Sequence, residues 1–260
     1  MESPSKKRKT ITDFYSHFPS AARSSPSIFA PIQTAVPGLT LLKNFVTATE
    51  ETKILAFLNS ERCTWRTDLS RKTIHFGGEY CLMPPRGPEP KAKRRRSGDA
   101  EGLCPDPEAP PIKKPKPQIL QAPDMPAELD WLIQRMIDCG IYKEDKKPQY
   151  CIVNHYTGNL GISAHTENFS FDQPVVGLSL LSSCPMRFHQ LESPYDGSVR
   201  SGKARLAKRA GRVVDVQLPG RSLLVMNDES RWRWQHEIVR TGRDRGKGWA
   251  RVSLTFRVKR

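Results

Sequence analysis

Three side chains in this 260-residue sequence have the types and spacing of a metal site: His165 and Glu167, two positions apart, and His236 much further along. In extended chain, positions i and i+2 face the same side, so His165 and Glu167 can both reach one ion from a strand end. His236, supplied by a later strand, completes a set of two imidazoles and one carboxylate. Such a set leaves three positions open on iron(II), enough for a bidentate cosubstrate and for O2. Two guanidiniums follow, in a run whose alternation puts Arg251, Ser253, Thr255 and Arg257 on one face and Val252, Leu254, Phe256 and Val258 on the other. A dianion buried inside a barrel needs fixed positive charge, and the planar fork of arginine suits a carboxylate. The chemistry implied is oxygenation.

Short strands must position these groups. From Tyr150 onward the apolar pattern has the character of strands: Cys151 to Tyr156, Val175 to Leu181, Met186 to Leu191, Val213 to Leu218, Ser222 to Met226, His236 to Val239 and Arg251 to Val258, separated by Gly, Pro, Asn or Asp. Thr73 to Phe76 reads as a further strand, ended by Gly77-Gly78. Ahead of them, Thr47-Ala48-Thr49-Glu50 has the spacing of a capping box, and Ile54, Leu55, Phe57 and Leu58 then recur at helical intervals. A second helix is bracketed by Pro126 and Gly140, with Leu129, Leu132, Ile133, Met136 and Ile137 on its apolar face. The fold class expected is α+β: a double-stranded β-helix, or jelly roll, with the N-terminal helices packed outside and the chemistry in the barrel mouth.

Composition bounds the rest. Six cysteines with no C-x-x-C pair speak against a zinc knuckle and a disulfide framework, and fit a reducing compartment. No apolar run approaches the roughly 18 residues of a membrane span, and no signal peptide is visible, so a soluble, intracellular monomer is expected. Net charge is +15, which favours a polyanionic partner, nucleic acid first. Arg200, Lys203, Arg205, Lys208, Arg209 and Arg212, with Arg240, Arg243, Arg245 and Lys247, place part of that charge inside the expected domain.

Residues 1–37 are Ser/Pro-rich without apolar periodicity and are expected to be a disordered tail, leaving 38–260 as the folded domain. A Pro-rich insertion at 84–117, carrying Lys91 to Arg96 and Lys113 to Lys116, interrupts that domain as a second disordered segment. Lys6-Lys7-Arg8-Lys9 is a run of the nuclear-import kind, so the nucleus is the expected location. Just after it, Ile11, Phe14 and Tyr15 would share one side of a single helical turn. This peptide is similar to the motif by which replication and repair proteins bind the sliding clamp, with Arg8 where the usual glutamine stands.

Taken with these motifs, the chain resembles the AlkB family of Fe(II)- and 2-oxoglutarate-dependent dioxygenases over residues 39–260, the insertion apart. The likeness is carried by Asn154-His155-Tyr156, His165-Thr166-Glu167, Val176 to Leu180, Ser222 to Met226, Glu229-Ser230-Arg231 leading to His236, and Arg251 to Arg257. It implies that His165, Glu167 and His236 hold iron and that Arg257 grips the distal carboxylate of 2-oxoglutarate. Asn154, Tyr156, Arg251 and Ser253 would contact the cosubstrate nearby. Two departures stand out. The family usually has aspartate where this chain has Glu167 and asparagine where it has Ser253.

The resemblance implies oxidative dealkylation of N-alkylated bases in DNA, coupled to decarboxylation of 2-oxoglutarate with O2 as the other cosubstrate. Trp65, His75, Phe76 and Tyr80 fall where the family builds its nucleotide-recognition lid, and Arg231 is a further rim candidate for substrate binding. Two other readings are open. The segment from Ser222 to His236 is more similar to the tRNA-modifying branch, which implies RNA as substrate, and Glu167 leaves room for a catalytically decayed nucleic-acid or clamp-binding adaptor.

Overall fold

The computed structural model describes residues 29–82, 118–197 and 207–260. The run 6–9, the peptide of Ile11, Phe14 and Tyr15, the insertion 84–117, and Arg200, Lys203 and Arg205 lie outside the described residues. Strand structure begins ahead of the expected boundary at residue 38. β1 (Pro31–Gln33) pairs antiparallel with β2 (Leu39–Leu42), and Val36 between them is buried.

The expected helices form, each for the reason visible in its sequence. In α1 (Ala48–Leu58) the Thr47 hydroxyl accepts from the Glu50 amide at 3.2 Å while the Glu50 carboxylate accepts from the Thr47 amide at 2.8 Å, so two otherwise orphaned donors are satisfied. Pro126 opens a 3₁₀ turn at Ala127–Leu129 that runs into α2 (Asp130–Asp138). Gly140 ends it at φ +68°, where the amides of Gly140 and Ile141 return to the carbonyls of Ile137 and Met136.

The remaining strands are β3 (Lys72–Phe76), β6 (Tyr150–Thr157), β7 (Ile162–His165), β8 (Val175–Leu181), β9 (Cys184–Leu191), β10 (Arg209–Leu218), β11 (Ser222–Met226), β12 (Trp234–Ile238) and β13 (Ala250–Arg257), with a short helix α3 (Asp228–Trp232) before β12. β4 (Glu79–Leu82) and β5 (Gln118–Gln121) form a separate two-stranded hairpin unit, residues 79–122, in the register Tyr80↔Leu120. The main unit holds two sheets. The larger runs β1-β2-β11-β8-β13-β6-β3 and the smaller β10-β9-β12-β7, the two walls of a double-stranded β-helix.

Alternation along the strands divides the interior. One face of the larger sheet carries Ile74, Phe76, Cys151, Val153, Val176, Leu178, Leu180, Leu223, Val225, Val252, Leu254 and Phe256, all packed in one core with Ile54 and Leu58 of α1 and Leu132, Ile133 and Met136 of α2. Each such side chain contributes about 1.5–3 kcal/mol on burial, which seats both helices on the outside of the sheet. The opposite face looks toward the smaller sheet. There Leu39, Leu41, Val175, Leu224 and Met226 meet Phe188, Val216, Leu218 and Trp234 in a second apolar core. On β6 and β13 the same face is polar instead: Asn154, Tyr156, Arg251, Ser253 and Arg257, all buried. The space between the sheets is therefore apolar at one side and a polar cup at the other.

Candidate metal and cosubstrate centre

The smaller sheet brings the two histidines together by register. β12 pairs antiparallel with β7 so that His236 and His165 are direct cross-strand partners, with ring centroids 4.5 Å apart. β12 begins at Trp234 rather than at His236, because Trp234 fills the inter-sheet core and extends the same inward face. β7 had no apolar run to betray it; Ile162-Ser163-Ala164-His165 holds one large aliphatic residue. Glu167 lies just past its end and is buried. The ligand atoms of His165, Glu167 and His236 all lie within 4.8 Å of one another. Three mutually cis donors about 2.1 Å from a shared ion stand about 3 Å apart, so side-chain closure of up to about 2 Å brings this set onto one metal.

Each ligand is oriented by a neighbour. His165 Nδ1 lies 2.8 Å from the Ser163 carbonyl, a bond that places the ring proton there and leaves Nε2 as the ligand atom. Burial, with His236 beside it, pushes the His165 imidazolium down to about 4, so the neutral ring is the form present. Glu167 reaches two ways: Oε2 accepts from Arg257 Nε at 2.7 Å, and Oε1 lies 3.6 Å from His236 Nε2. Burial acts to raise its pKa, but the Arg257 guanidinium, aided by His236 and His165, holds it well below the usual carboxylate range.

The two arginines have different partners. Arg257, expected to grip the distal carboxylate, is engaged with Glu167 and with the Thr255 carbonyl. Arg251 is 3% exposed, donates from one terminal nitrogen to Ser179 Oγ at 2.9 Å, and packs its guanidinium 5.5 Å from the Tyr156 ring. Its Nε has no hydrogen-bond acceptor among the described residues, and no carboxylate there pairs with it. Burial lowers its pKa, the response of a cation without a counter-charge. A buried guanidinium left this way has donors available for a carboxylate. Ser253 stands between Ser179 and Asn154 in the sheet register. A Cβ added at Gly177, on the same inward face, would meet no atom within 4 Å, so this part of the face borders open space.

The substrate candidates scatter. His75 faces the cup from β3, buried, its imidazolium pushed down to about 4 by burial and by Arg66, Arg257 and Arg71. Phe76 points the other way: it belongs to the helix-side core and stacks on Phe57 with centroids 6.2 Å apart, because alternation on β3 puts it opposite His75. Trp65 also packs on that side, 5.7 Å from the His155 ring. Tyr80 is buried and belongs to the β4-β5 unit. Arg231 is no rim residue; at 2% exposure it donates to the carbonyls of Glu167, Asn168 and Phe171 and lies 3.9 Å over Trp232, bracing the loop that carries Glu167. Two residues of the cup escaped the sequence reading. Ser179 was visible as the one polar inward position of an aliphatic strand, whereas Arg71, whose Nε donates to Asn154 Oδ1 at 2.7 Å, had no local signal.

Three protein ligands with open positions beside them, and a separate arginine lacking a counter-ion, is the division of labour in iron(II) oxygenases that bind a 2-oxo acid. The chain belongs to the 2OG-Fe(II) oxygenase superfamily, whose sequence model matches residues 38–257. Within it the chain is AlkB-like, and its cofactor set is Fe(II), 2-oxoglutarate and O2. It is 27% identical over 86% of its length to an Arabidopsis thaliana protein named alkylated DNA repair protein ALKBH8 homolog, and spans 59% of that relative. It is 26% identical over 80% of its length to the Mus musculus tRNA (carboxymethyluridine(34)-5-O)-methyltransferase ALKBH8, of which it spans 25%. A solved structure titled "The structure of OsALKBH1" shares the fold at a TM-score of 0.52 and 18% identity, over 86% of this chain and 100% of that one.

Proposed function

We propose that this chain removes alkyl groups oxidatively from N-alkylated nucleobases, with DNA as the substrate polymer. The observation that carries the reading is the AlkB-like likeness across the whole site-bearing domain in a chain of net charge +15. When bound, the iron and its cosubstrates supply hydroxylation of a C–H bond with release of succinate and CO2. The protein's share is orientation and exclusion of water. His165, Glu167 and His236 would hold the metal, Arg251 the distal carboxylate, and Arg257 keeps Glu167 ionised and aimed. A hydroxylated N-methyl group leaves as formaldehyde by breaking its own C–N bond, so no protein nucleophile is required. A base inside a duplex cannot reach the cup, so it must be flipped out or presented on a single strand. Exposed Lys208, Arg209 and Arg212 supply phosphate-neutralising charge outside the cup.

RNA is the second reading, favoured by the likeness to the mouse tRNA methyltransferase. Succinate and formaldehyde release on matched methylated DNA and RNA oligonucleotides, with mass spectrometry of the product base, separates the two. Convergence of the three ligand atoms supports an enzyme over a decayed adaptor; a wild type that shows no turnover, with nucleic-acid binding unchanged in a His236→Ala variant, would reverse that. The reading also includes a monomer in the nucleus that docks on a sliding clamp through Ile11, Phe14 and Tyr15. Clamp pull-down that survives replacing Phe14 and Tyr15 by Ala would remove the docking part.

A further inference from the structure

Arg71 has no place in the chemistry so far. It precedes β3, is half-buried, and its one hydrogen bond among the described residues is the 2.7 Å donation to the amide oxygen of Asn154, on the inward face of β6. No carboxylate among the described residues pairs with it. Its neighbour Arg66 differs, since that guanidinium is matched by Asp68 at 3.2 and 2.7 Å. The charge of Arg71 is felt at the rings of His75 and His165 and at Tyr156, three groups that line the cup. The segment after Glu167, Asn168 to Phe171, carries no acid, and Asp172 beyond it is paired with Lys146.

The charge in the cup follows from these placements. Arg71, Arg251 and Arg257 face one carboxylate, Glu167, among the described residues. An Fe(II) dication and a 2-oxoglutarate dianion cancel each other, so a loaded cup keeps a positive excess of roughly two charges.

Resting on the nucleobase reading above, we propose that Arg71 is a specificity determinant that selects uncharged alkylated bases, such as 3-methyluracil, 3-methylthymine or 1-methylguanine, and rejects cationic ones, such as 3-methylcytosine or 1-methyladenine. A cationic ring brought within about 7 Å of an unmatched guanidinium, at an effective dielectric of about 20, loses about tenfold or more in occupancy. An uncharged lactam base loses nothing and presents carbonyl oxygens that the guanidinium can donate to.

The matched pair 3-methyluracil and 3-methylcytosine, placed in otherwise identical single strands, tests this in two readouts. One is kcat/KM with Fe(II). The other is equilibrium binding with Mn(II) and 2-oxoglutarate in the absence of O2, where no turnover occurs. The wild type is expected to favour 3-methyluracil by about tenfold in kcat/KM and in the same direction in binding. Arg71→Gln should erase most of the preference and Arg71→Glu should invert it, while both keep the KM for 2-oxoglutarate within about twofold. Equal or better use of 3-methylcytosine by the wild type overturns the charge selection alone, as does a preference that survives both variants. A raised KM for 2-oxoglutarate with unchanged base preference overturns it too, by moving Arg71 to the cosubstrate. Failure to bind or turn over any modified base, with 2-oxoglutarate still bound, sinks the nucleobase reading itself.

Discussion

Arg257 and Glu167 form an ion pair inside the cup, Nε to Oε2 at 2.7 Å, with both side chains 8% exposed. The guanidinium is thereby a brace for a metal ligand. It holds the carboxylate ionised before any metal arrives and fixes one of its two oxygens, leaving the other turned toward His236.

Replacing Arg257 by Ala should therefore act first on stability. A buried carboxylate left without its partner costs about 3–5 kcal/mol. Denaturant unfolding of the metal-free protein should show a loss of that order, and Mn(II) should restore part of it by supplying the missing positive charge. A variant as stable as wild type would show that the pair contributes nothing.

Replacing Arg251 by Ala should separate from this. Its guanidinium has no counter-charge to abandon, so metal binding and fold are expected to hold while the KM for 2-oxoglutarate rises by about 10- to 100-fold, the loss of a charge-assisted contact worth about 1.5–3 kcal/mol. Calorimetric titration with 2-oxoglutarate in the presence of Mn(II) reads it directly. Should Arg257→Ala raise that KM and Arg251→Ala leave it alone, the two roles are to be exchanged.

How far the sequence could be read follows from which signals are local. Alternation on β13 and the His-x-Glu spacing are properties of adjacent residues, so the inward set Arg251, Ser253 and Arg257 and the pair His165 and Glu167 were legible before the fold was known. The capping box of α1 and the glycine stop of α2 were legible for the same reason. The partners of the two arginines were not. Which one meets Glu167 depends on how the loop after β7 crosses to β8, a relation between residues 90 positions apart. Arg231 misled because a charged residue near a motif reads as surface, whereas three backbone carbonyls from residues 60 to 64 positions away bury it. Phe76 failed by parity: one step along β3 exchanges cup for core.

Arg231→Ala follows from that bracing. Loss of donors to the carbonyls of Glu167, Asn168 and Phe171 frees the ligand-bearing loop, so metal affinity is expected to fall by about tenfold or more, in line with removal of an outer-shell support. Oligonucleotide affinity measured without metal should stay within about twofold. The reverse pattern would return Arg231 to the rim.

Acid should loosen the helices by a route independent of the cup. Glu50 joins α1 to α2 through Arg135, at 2.5 and 3.0 Å, and is held down to about 2 by that hydrogen-bonded pair against an ordinary value of 4.5. A depressed carboxylate contributes stability that is complete above its unfolded value and is lost as pH falls through the folded one. Its share, about 1–2 kcal/mol with the cap included, should disappear between about pH 4.5 and 2, and Glu50→Gln should remove it at pH 7 while flattening that part of the acid profile. Urea unfolding across this range reads both.

Glu167→Asp tests the departure from the family's usual acid. Here the longer side chain serves two partners at once, Arg257 through Oε2 and the metal position beside His236 through Oε1. Removing one methylene withdraws the carboxylate by about 1.5 Å. The loop cannot follow freely, because Arg231 holds the Glu167 carbonyl itself. The aspartate is therefore expected to keep one partner and lose the other, with Fe(II) affinity falling by about tenfold and 2-oxoglutarate affinity unchanged where metal is saturating. Tighter metal binding in the variant would mean that the Arg257 bond is dispensable and that the glutamate holds the site below its best affinity.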